Sequence, residues 1–334
     1  MTTNIFSVMN TAKLGLLAQQ MAIEVTGQNI ANVQTPGYSR QEVSLEATTP
    51  RTDGQAILGT GVNVRSVKRA HDQFVFGQLT NADSANSSAT VQKNGFDQLE
   101  GLFNQSVGQG LSQSFSSFYT SVQSLVATPT SLAERTSLLA QAQSLAFGLN
   151  QTGQRLQQQQ QNMDQTVDTE VTSINNLTAQ IADLNKGIHA SETGTLSAND
   201  LRDKRDALVR ELAKKIDITV VTETNGQVSL TLNNGQGLVL GNTAYALQTQ
   251  MNGNNNGFKD VLLSNGAGGA TNITSLIQGG EIRGWLDMRD TQIAGIRDKL
   301  DRLTAGFVRE FNRVHQNGQG LDGVEVVAGR LAAL

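Results

Sequence analysis

Residues 29–40 read Asn-Ile-Ala-Asn-Val-Gln-Thr-Pro-Gly-Tyr-Ser-Arg, and two different sequence patterns meet in this stretch. Before it, apolar residues recur at helical spacing; after it, Val43, Leu45 and Ala47 alternate with polar residues as in a half-buried strand. Pro36 cannot continue a helix, and Gly37 accepts the positive φ of a type II turn. The stretch therefore predicts a helix, a tight turn and a strand. We define the hinge motif as Ala31, Asn32, Thr35, Pro36, Gly37, Tyr38, Ser39 and Arg40.

The predicted first helix carries a narrow apolar stripe, which we call the seam. Its members follow heptad spacing and are Ile5, Met9, Ala12, Leu16, Ile23 and Ile30. A stripe with no partner nearby in the sequence must be covered by a distant segment or by another subunit. We therefore predict an assembly helix, the alternative being an ordinary helix that docks on its own domain.

Helical patterns dominate the rest of the chain. From Ser131 to Ile188 the apolar residues keep heptad register without a proline, which predicts a helix of roughly 85 Å. Residues 216 to about 275 instead alternate as short strands and contain Asn225-Gly226, a strong hairpin signal. Helical spacing resumes from Gly279. The predicted fold class is mainly α, with long coiled-coil-like helices forming an elongated rod, short β segments and a small inserted β-rich domain.

These patterns also predict where the domains divide. Residues 1–37 form the N-terminal helix, residues 38–199 together with 279–317 an α-rich rod domain, and residues 200–278 a small α+β or β domain. Residues 318–334 form an atypical tail. Within the small domain, the mixed charges between Asp200 and Lys215 predict a helix with a solvated, ion-paired face.

Composition gives no reason to expect a nucleic-acid or membrane partner. The net charge is −4, and no apolar run approaches the roughly 18 residues of a membrane span. Cysteine is absent, which excludes disulfides and cysteine-ligated metals. No signal-peptide pattern is visible at the N-terminus. If the chain is secreted, it therefore needs an export route that does not use a cleaved signal peptide.

Residue types that could carry chemistry are present but poorly arranged for it. The three histidines, His71, His189 and His315, are far apart in the sequence. The pairs Asp287/Asp290 and Asp200/Asp203 have the composition of glycosidase carboxylates, but each lies beside an arginine at helical spacing and reads as an ion pair. The glycine-rich residues 234–241 lack the lysine of a phosphate loop. We predict no catalytic residue, no cofactor and no metal site.

The decamer from Ala31 to Arg40 resembles the signature of the bacterial flagellar axial proteins, the rod, hook and hook-associated families. With Gln41 added, its end is most similar to the hook-associated protein 1 family. Three further blocks, residues 201–206, 279–290 and 311–318, also resemble that family. The resemblance therefore covers about residues 1–323 in separated blocks.

The resemblance implies a structural subunit that joins hook to filament, serves motility and leaves the cell through the flagellar type III export channel. Implied partners are further copies of the chain in a ring, the hook protein, hook-associated protein 3, the export apparatus and an export chaperone. Members of this family continue beyond the equivalent of Gly323 into a helix that pairs with the first one. We therefore expect a C-terminally truncated form that lacks the chaperone site. The alternatives are a secreted coiled-coil effector and a cell-wall-degrading enzyme.

Overall fold

The computed structural model describes residues 5–53, 56–103, 110–192, 197–266 and 268–318; residues 319–334 of the predicted tail lie outside them. The α-helices in the described ranges are α1 (Ile5–Ala31), α2 (Gln73–Phe103), α3 (Leu111–Ala127), α4 (Leu132–Ser191), α5 (Asn199–Lys215), α6 (Gly280–Asp287) and α7 (Ala294–His315). A π-helical stretch, Met288–Ile293, connects α6 to α7. No helix in the described part of the chain is both long and apolar enough to cross a membrane.

The strands are short and belong to small antiparallel sheets. They are β1 (Gln41–Ala47), β2 (Arg51–Asp53), β3 (Ala56–Leu58), β4 (Val62–Arg69), β5 (Thr219–Thr222), β6 (Val228–Thr231), β7 (Gly237–Leu240), β8 (Thr243–Ala244), β9 (Leu247–Met251), β10 (Lys259–Ser264) and β11 (Ala270–Asn272). β1 pairs with β4 and β2 with β3, while β5 to β8 form a four-stranded meander and β9 to β11 a three-stranded sheet. Long helices with small sheets confirm the predicted mainly α fold class.

Helix α4 is the longest element and shows why the sequence folds as it does. It contains 60 residues, about 90 Å at 1.5 Å per residue, as the unbroken heptad pattern predicts. Ser131 caps its start, since the Ser131 hydroxyl accepts a hydrogen bond from the Glu134 backbone N–H at 3.3 Å. The predicted helix start is therefore confirmed.

The chain divides into two compact units. Unit 1 contains the chain up to Ser87 together with Glu170–Met251 and Asp260–Gly280. Unit 2 contains Ser88–Thr169, Asn252–Lys259 and the chain from Glu281 onward. The predicted domain boundaries stay a prediction.

In unit 1, two asparagines of α4 fix the sheets against the helix. The Asn185 side chain is fully buried and accepts from the Val228 backbone N–H while it donates to the carbonyls of Val228 and Gly241. The Asn175 side chain bonds both backbone groups of Leu247, each at 2.8 Å. Each asparagine amide thus replaces a neighbouring strand and satisfies the backbone groups of the strand it meets.

In unit 2, α3, α7 and the adjoining parts of α2 and α4 surround one apolar core. Its buried members include Leu99, Phe118, Leu145, Leu156 and Leu300. The ring of Phe118 packs edge-on against those of Phe307 and Phe311, at 5.4 and 5.5 Å between centroids. Among the described residues, most contacts between aromatic rings lie in this core.

The π-helical stretch was not predicted from the helical spacing after Gly279. It carries Arg289, which is fully buried and donates to Asp164 at 2.6 Å and to Asp290 at 2.7 Å. A π-turn holds one more residue than an α-turn and so rotates the helix face that follows it. The apolar pattern does not record this local change because the residues on either side remain helical.

The prediction for α5 was wrong about its solvated face. Asp203 and Arg205 are buried, with 8% and 2% of their surfaces exposed. Arg205 donates to the Gly226 carbonyl at 2.8 Å, so it holds the turn between β5 and β6. Ion pairing is present as predicted, but only part of it is solvated. Lys214 pairs with Glu211 on the exposed side of α5, whereas Arg202 and Arg210 pair with Glu192 and Asp83 elsewhere in unit 1.

Candidate assembly site

Helix α1 exposes the whole predicted seam. Ile5, Met9, Leu16, Ile23 and Ile30 are 62–72% exposed, and Ala12 is exposed as well. Nothing in the described part of the chain covers these side chains. Burying a large aliphatic side chain contributes about 1.5–3 kcal/mol, so the exposed seam is a substantial apolar surface.

The opposite face of α1 is the one that docks on unit 1. Ala18 and Val25 are buried on it, 1% and 6% exposed, where the helix packs on the β1–β4 hairpin. At 100° per residue this face lies about 140° around the helix from the seam. Helix α1 therefore docks on its own unit through one face and leaves the seam exposed on the other. The role of the seam in assembly stays a prediction.

The hinge motif forms the turn that its sequence predicts. Gly37 has φ of 81°, and the Tyr38 backbone N–H donates to the Thr35 carbonyl at 3.2 Å. Both features match a type II turn. The Thr35 hydroxyl donates to the Asn32 side-chain oxygen at 3.1 Å, and Ala31 is the last residue of α1. Pro36 lies at the position of the turn where its fixed φ is suitable.

Asn29 connects the last turn of α1 to the start of β1. Its side-chain oxygen accepts from the Tyr38 hydroxyl and from the Gln41 backbone N–H, both at 2.9 Å. Its amide nitrogen donates to the Gln41 carbonyl at 2.9 Å. One side chain thereby fixes the direction in which the strand leaves the turn.

Helix α5 clamps the hinge from the other side. The carboxylate of Asp203 accepts from the Ser39 backbone N–H at 2.8 Å and from Arg69 at 2.9 Å. Arg69 also pairs with Asp206 at 2.6 Å, and all three charged side chains are at most 13% exposed. The side chain of Arg40, the last residue of the motif, pairs with Glu42 at an exposed position. The buried pairs therefore carry the clamp.

Sequence reasoning missed the residues that hold the motif in place. These are Asn29, Arg69, Asn199 and Asp203, with buried Gln41 at the centre of the contacts. Asn199 donates to the Gln41 side chain and to the Val67 carbonyl. The sequence feature that could have indicated them is the block from Leu201 to Asp206. This block resembles the family, but its sequence does not show which residues it contacts.

The surroundings of the hinge tyrosine disfavour its ionised form. Desolvation, followed by the carboxylates of Asp200 and Asp203, raises the pKa of Tyr38. The phenol is protonated at neutral pH in any case and donates its hydrogen bond to Asn29. Desolvation, followed by the charge of Arg69, lowers the pKa of His71 in the same unit.

The candidates for chemistry remain separate. His71 lies 3.7 Å from Asp206, while His189 and His315 are exposed on α4 and α7. Among the described residues, no three histidines or carboxylates come close enough together to hold a metal ion. Arg289 pairs with Asp290 as predicted.

The partner predicted for the other carboxylate pair was wrong. Arg202 binds Glu192 at 2.6 Å, and Asp203 binds Arg69 instead. Asp203 does form an ion pair, as predicted, but with Arg69 rather than with the neighbouring Arg202. Successive residues of a helix point in different directions, so Arg202 and Asp203 meet different partners.

Comparisons with known proteins agree with this geometry. The family described as flagellar hook-associated protein FlgK helical domain matches residues 96–329, and the family described as flagella basal body rod protein matches residues 9–38. Flagellar hook-associated protein 1 of Salmonella typhimurium is 32% identical over 321 residues, which cover 95% of this chain and 58% of that protein. The chain thus spans somewhat over half the length of this relative.

Two further relatives point the same way. Flagellar hook-associated protein 1 of Bacillus subtilis is 30% identical over 347 residues, covering 95% of this chain and 68% of that protein. The structure of the flagellar hook junction protein FlgK from Burkholderia pseudomallei matches with a TM-score of 0.68 and 26% identity, over 75% of this chain and 45% of that one. The predicted resemblance is confirmed, and the chain belongs to the flagellar hook-associated protein FlgK family.

Proposed function

We propose that the chain is a structural subunit of the bacterial flagellum that joins hook to filament and assembles with further copies of itself through α1. The observation that carries the proposal is the exposed seam, which lies opposite the face that docks on unit 1. An apolar face that the described residues leave uncovered fits a contact with another subunit. Membership of the FlgK family supports the bacterial flagellum as the place of this contact.

The hinge contributes a fixed direction rather than chemistry. Asn29 and Asp203 hold the turn from two sides, so α1 and β1 meet at one angle. A subunit that packs into a tube needs that angle to be the same in every copy. We propose that the hinge motif positions the seam for this contact.

The partners follow from the same position in the flagellum. Besides further copies of the chain, they are the hook protein on one side and hook-associated protein 3 on the other. The export apparatus handles the chain before assembly. The chain performs no catalysis and needs no cofactor in this proposal.

Deleting the gene tests the proposal. We expect cells that still build hooks but carry no attached filaments and do not swim, while filament protein accumulates in the medium. Normal filaments on the deletion strain would contradict the proposal. A peptidoglycan zymogram tests the alternative that the chain is a cell-wall-degrading enzyme. A clearing band from the purified chain would show wall degradation.

A further inference from the structure

The exposed seam of α1 carries a sulfur atom. Met9 is one of its members, and 62% of this residue is exposed. Along the seam it lies between Ile5 and Ala12, which are exposed as well. A thioether at such a position meets the solvent and any oxidant dissolved in it.

The same helix carries a second methionine on another side. Met21 lies four residues before the buried Val25, so it borders the docked face, and it is 38% exposed. At 100° per residue, Met21 lies about 120° around the helix from Met9. Helix α1 therefore offers two thioethers to solvent, and only that of Met9 belongs to the seam.

The other methionines of the described residues differ widely in exposure. Met251, at the end of β9, is 75% exposed, whereas Met163 and Met288 are 1% and 0% exposed in the core of unit 2. The chain contains no cysteine, whose thiolate is the other readily oxidised sulfur group. An oxidant that attacks sulfur therefore reaches Met9, Met21 and Met251 in the free chain, while the two buried methionines are shielded.

We propose that the Sδ atom of Met9 is an oxidation site that regulates the contact made by the seam. Hydrogen peroxide transfers one oxygen atom to Sδ: the O–O bond breaks, an S–O bond forms and water leaves. Sulfur gives up two electrons, and the peroxide is reduced by them. The product is methionine sulfoxide. This inference rests on the proposed assembly of the chain through α1.

Oxidation places a polar atom in an otherwise apolar surface. The side chains next to Met9 on the seam are those of Ile5, Ala12 and Leu16, which offer no hydrogen-bond donor. A sulfoxide oxygen that loses its water in such a contact without a new partner costs free energy. Chains oxidised before assembly therefore bind less tightly, and a contact that has already formed shields the thioether. Methionine sulfoxide reductases reverse the reaction, so the change is reversible.

The test measures binding of the purified chain to hooks isolated from the deletion strain. Each protein is incubated with dilute hydrogen peroxide, freed of the oxidant and compared with its own untreated sample by co-sedimentation with the hooks. We expect oxidation to lower the affinity of the parent chain and of a Met21→Leu variant about five- to tenfold. The affinity of a Met9→Leu variant should change less than about twofold on oxidation, because Met21 and Met251 are then the exposed sulfur groups that react.

Mass spectrometry shows which methionines carry the added oxygen. Trypsin cleaves after Lys13 and Arg40, so Met9 and Met21 lie on different peptides. Reduction of the oxidised parent chain with a methionine sulfoxide reductase and a dithiol should restore its affinity.

Three results would overturn the inference. The first is an equal loss of affinity on oxidation of the Met9→Leu variant and the parent chain. The second is unchanged affinity of a parent chain whose Met9 carries the oxygen, and the third is resistance of Met9 under conditions that oxidise Met251. Failure of the untreated parent chain to bind hooks would contradict the proposed function itself, whereas the first three outcomes leave that function standing.

Discussion

At the scale of single residues, the hinge depends on a glycine that no other residue replaces without strain. Gly37 has φ of 81°, while its Cβ position is 3.7 Å from the Cβ of Ala207, an ordinary contact. Any cost of substitution therefore comes from the backbone and not from a clash.

We expect Gly37→Ala to lower the free energy of unfolding by about 1–2 kcal/mol, the cost of a left-handed backbone for a residue with a side chain. Gly15→Ala is the matched control, since Gly15 lies inside α1 with open space around it. The control should raise stability by about 0.5–1 kcal/mol. Urea unfolding of both variants measures this, and equal effects of the same sign would refute the assignment of the turn.

The buried carboxylate of Asp203 has two partners, the Ser39 backbone and Arg69. We expect Asp203→Ala to lower the free energy of unfolding by about 3–5 kcal/mol, because it removes one member of a buried ion pair. Asp298→Ala removes an exposed pair with Arg302 and should change stability by less than about 0.5 kcal/mol. Similar losses from the two variants would contradict the clamp.

His71 should make stability depend on pH. Its pKa is lowered in the folded chain by desolvation first and by Arg69 and Arg205, while Asp206 and Asp203 act in the opposite direction. As the pH falls below about 6.5, the unfolded histidine binds a proton that the folded one resists, so stability is lost on that side. We expect the melting temperature of His71→Gln to fall less than that of the parent chain between pH 7.5 and 5.0. An equal fall in the melting temperature of both proteins would contradict the predicted role of His71.

Contacts between residues close in the sequence could be predicted, and contacts between distant residues could not. The turn at Gly37 could be predicted because the Pro-Gly pair restricts its own backbone. The contact of Ser39 with Asp203 spans 164 residues of sequence, and no local pattern specifies it. Asn29 was missed for a related reason, since an asparagine in a helix gives no sign that its side chain will bind a strand.

At the scale of elements, α1 has two faces with different tasks. The face with Ala18 and Val25 holds the helix on the β1–β4 hairpin, and the seam is open. Heptad spacing predicted the seam, yet it did not predict the docked face, because small and polar residues contribute to that face. The π-helical stretch was also invisible to spacing, for it inserts a single wide turn into a continuing helix.

Substitutions on the two faces of α1 should separate assembly from stability. We expect the pair Leu16→Gln and Ile23→Gln to leave the free energy of unfolding within about 0.5 kcal/mol of the parent and to abolish swimming. Val25→Ala on the docked face should instead lower stability by about 1–2 kcal/mol. Swimming assays in the deletion strain and urea unfolding measure the two effects. Normal swimming of the seam variant would remove the basis for assembly through α1.

At the scale of the whole molecule, membership of the FlgK family indicates a component of the bacterial flagellum. The boundary between hook and filament is the position that we propose for it. Fold class could be predicted from apolar periodicity and family from separated sequence blocks, whereas the docked face of α1 needed the burial of each side chain. Local patterns show which face is apolar but not whether the rest of the chain covers it.

Immunogold labelling of intact flagella with an antibody against this chain tests the proposed position of the protein. We expect a single narrow band of gold at the boundary between hook and filament, absent from the deletion strain. Gold along the filament, along the hook or confined to the cell body would contradict the proposed function.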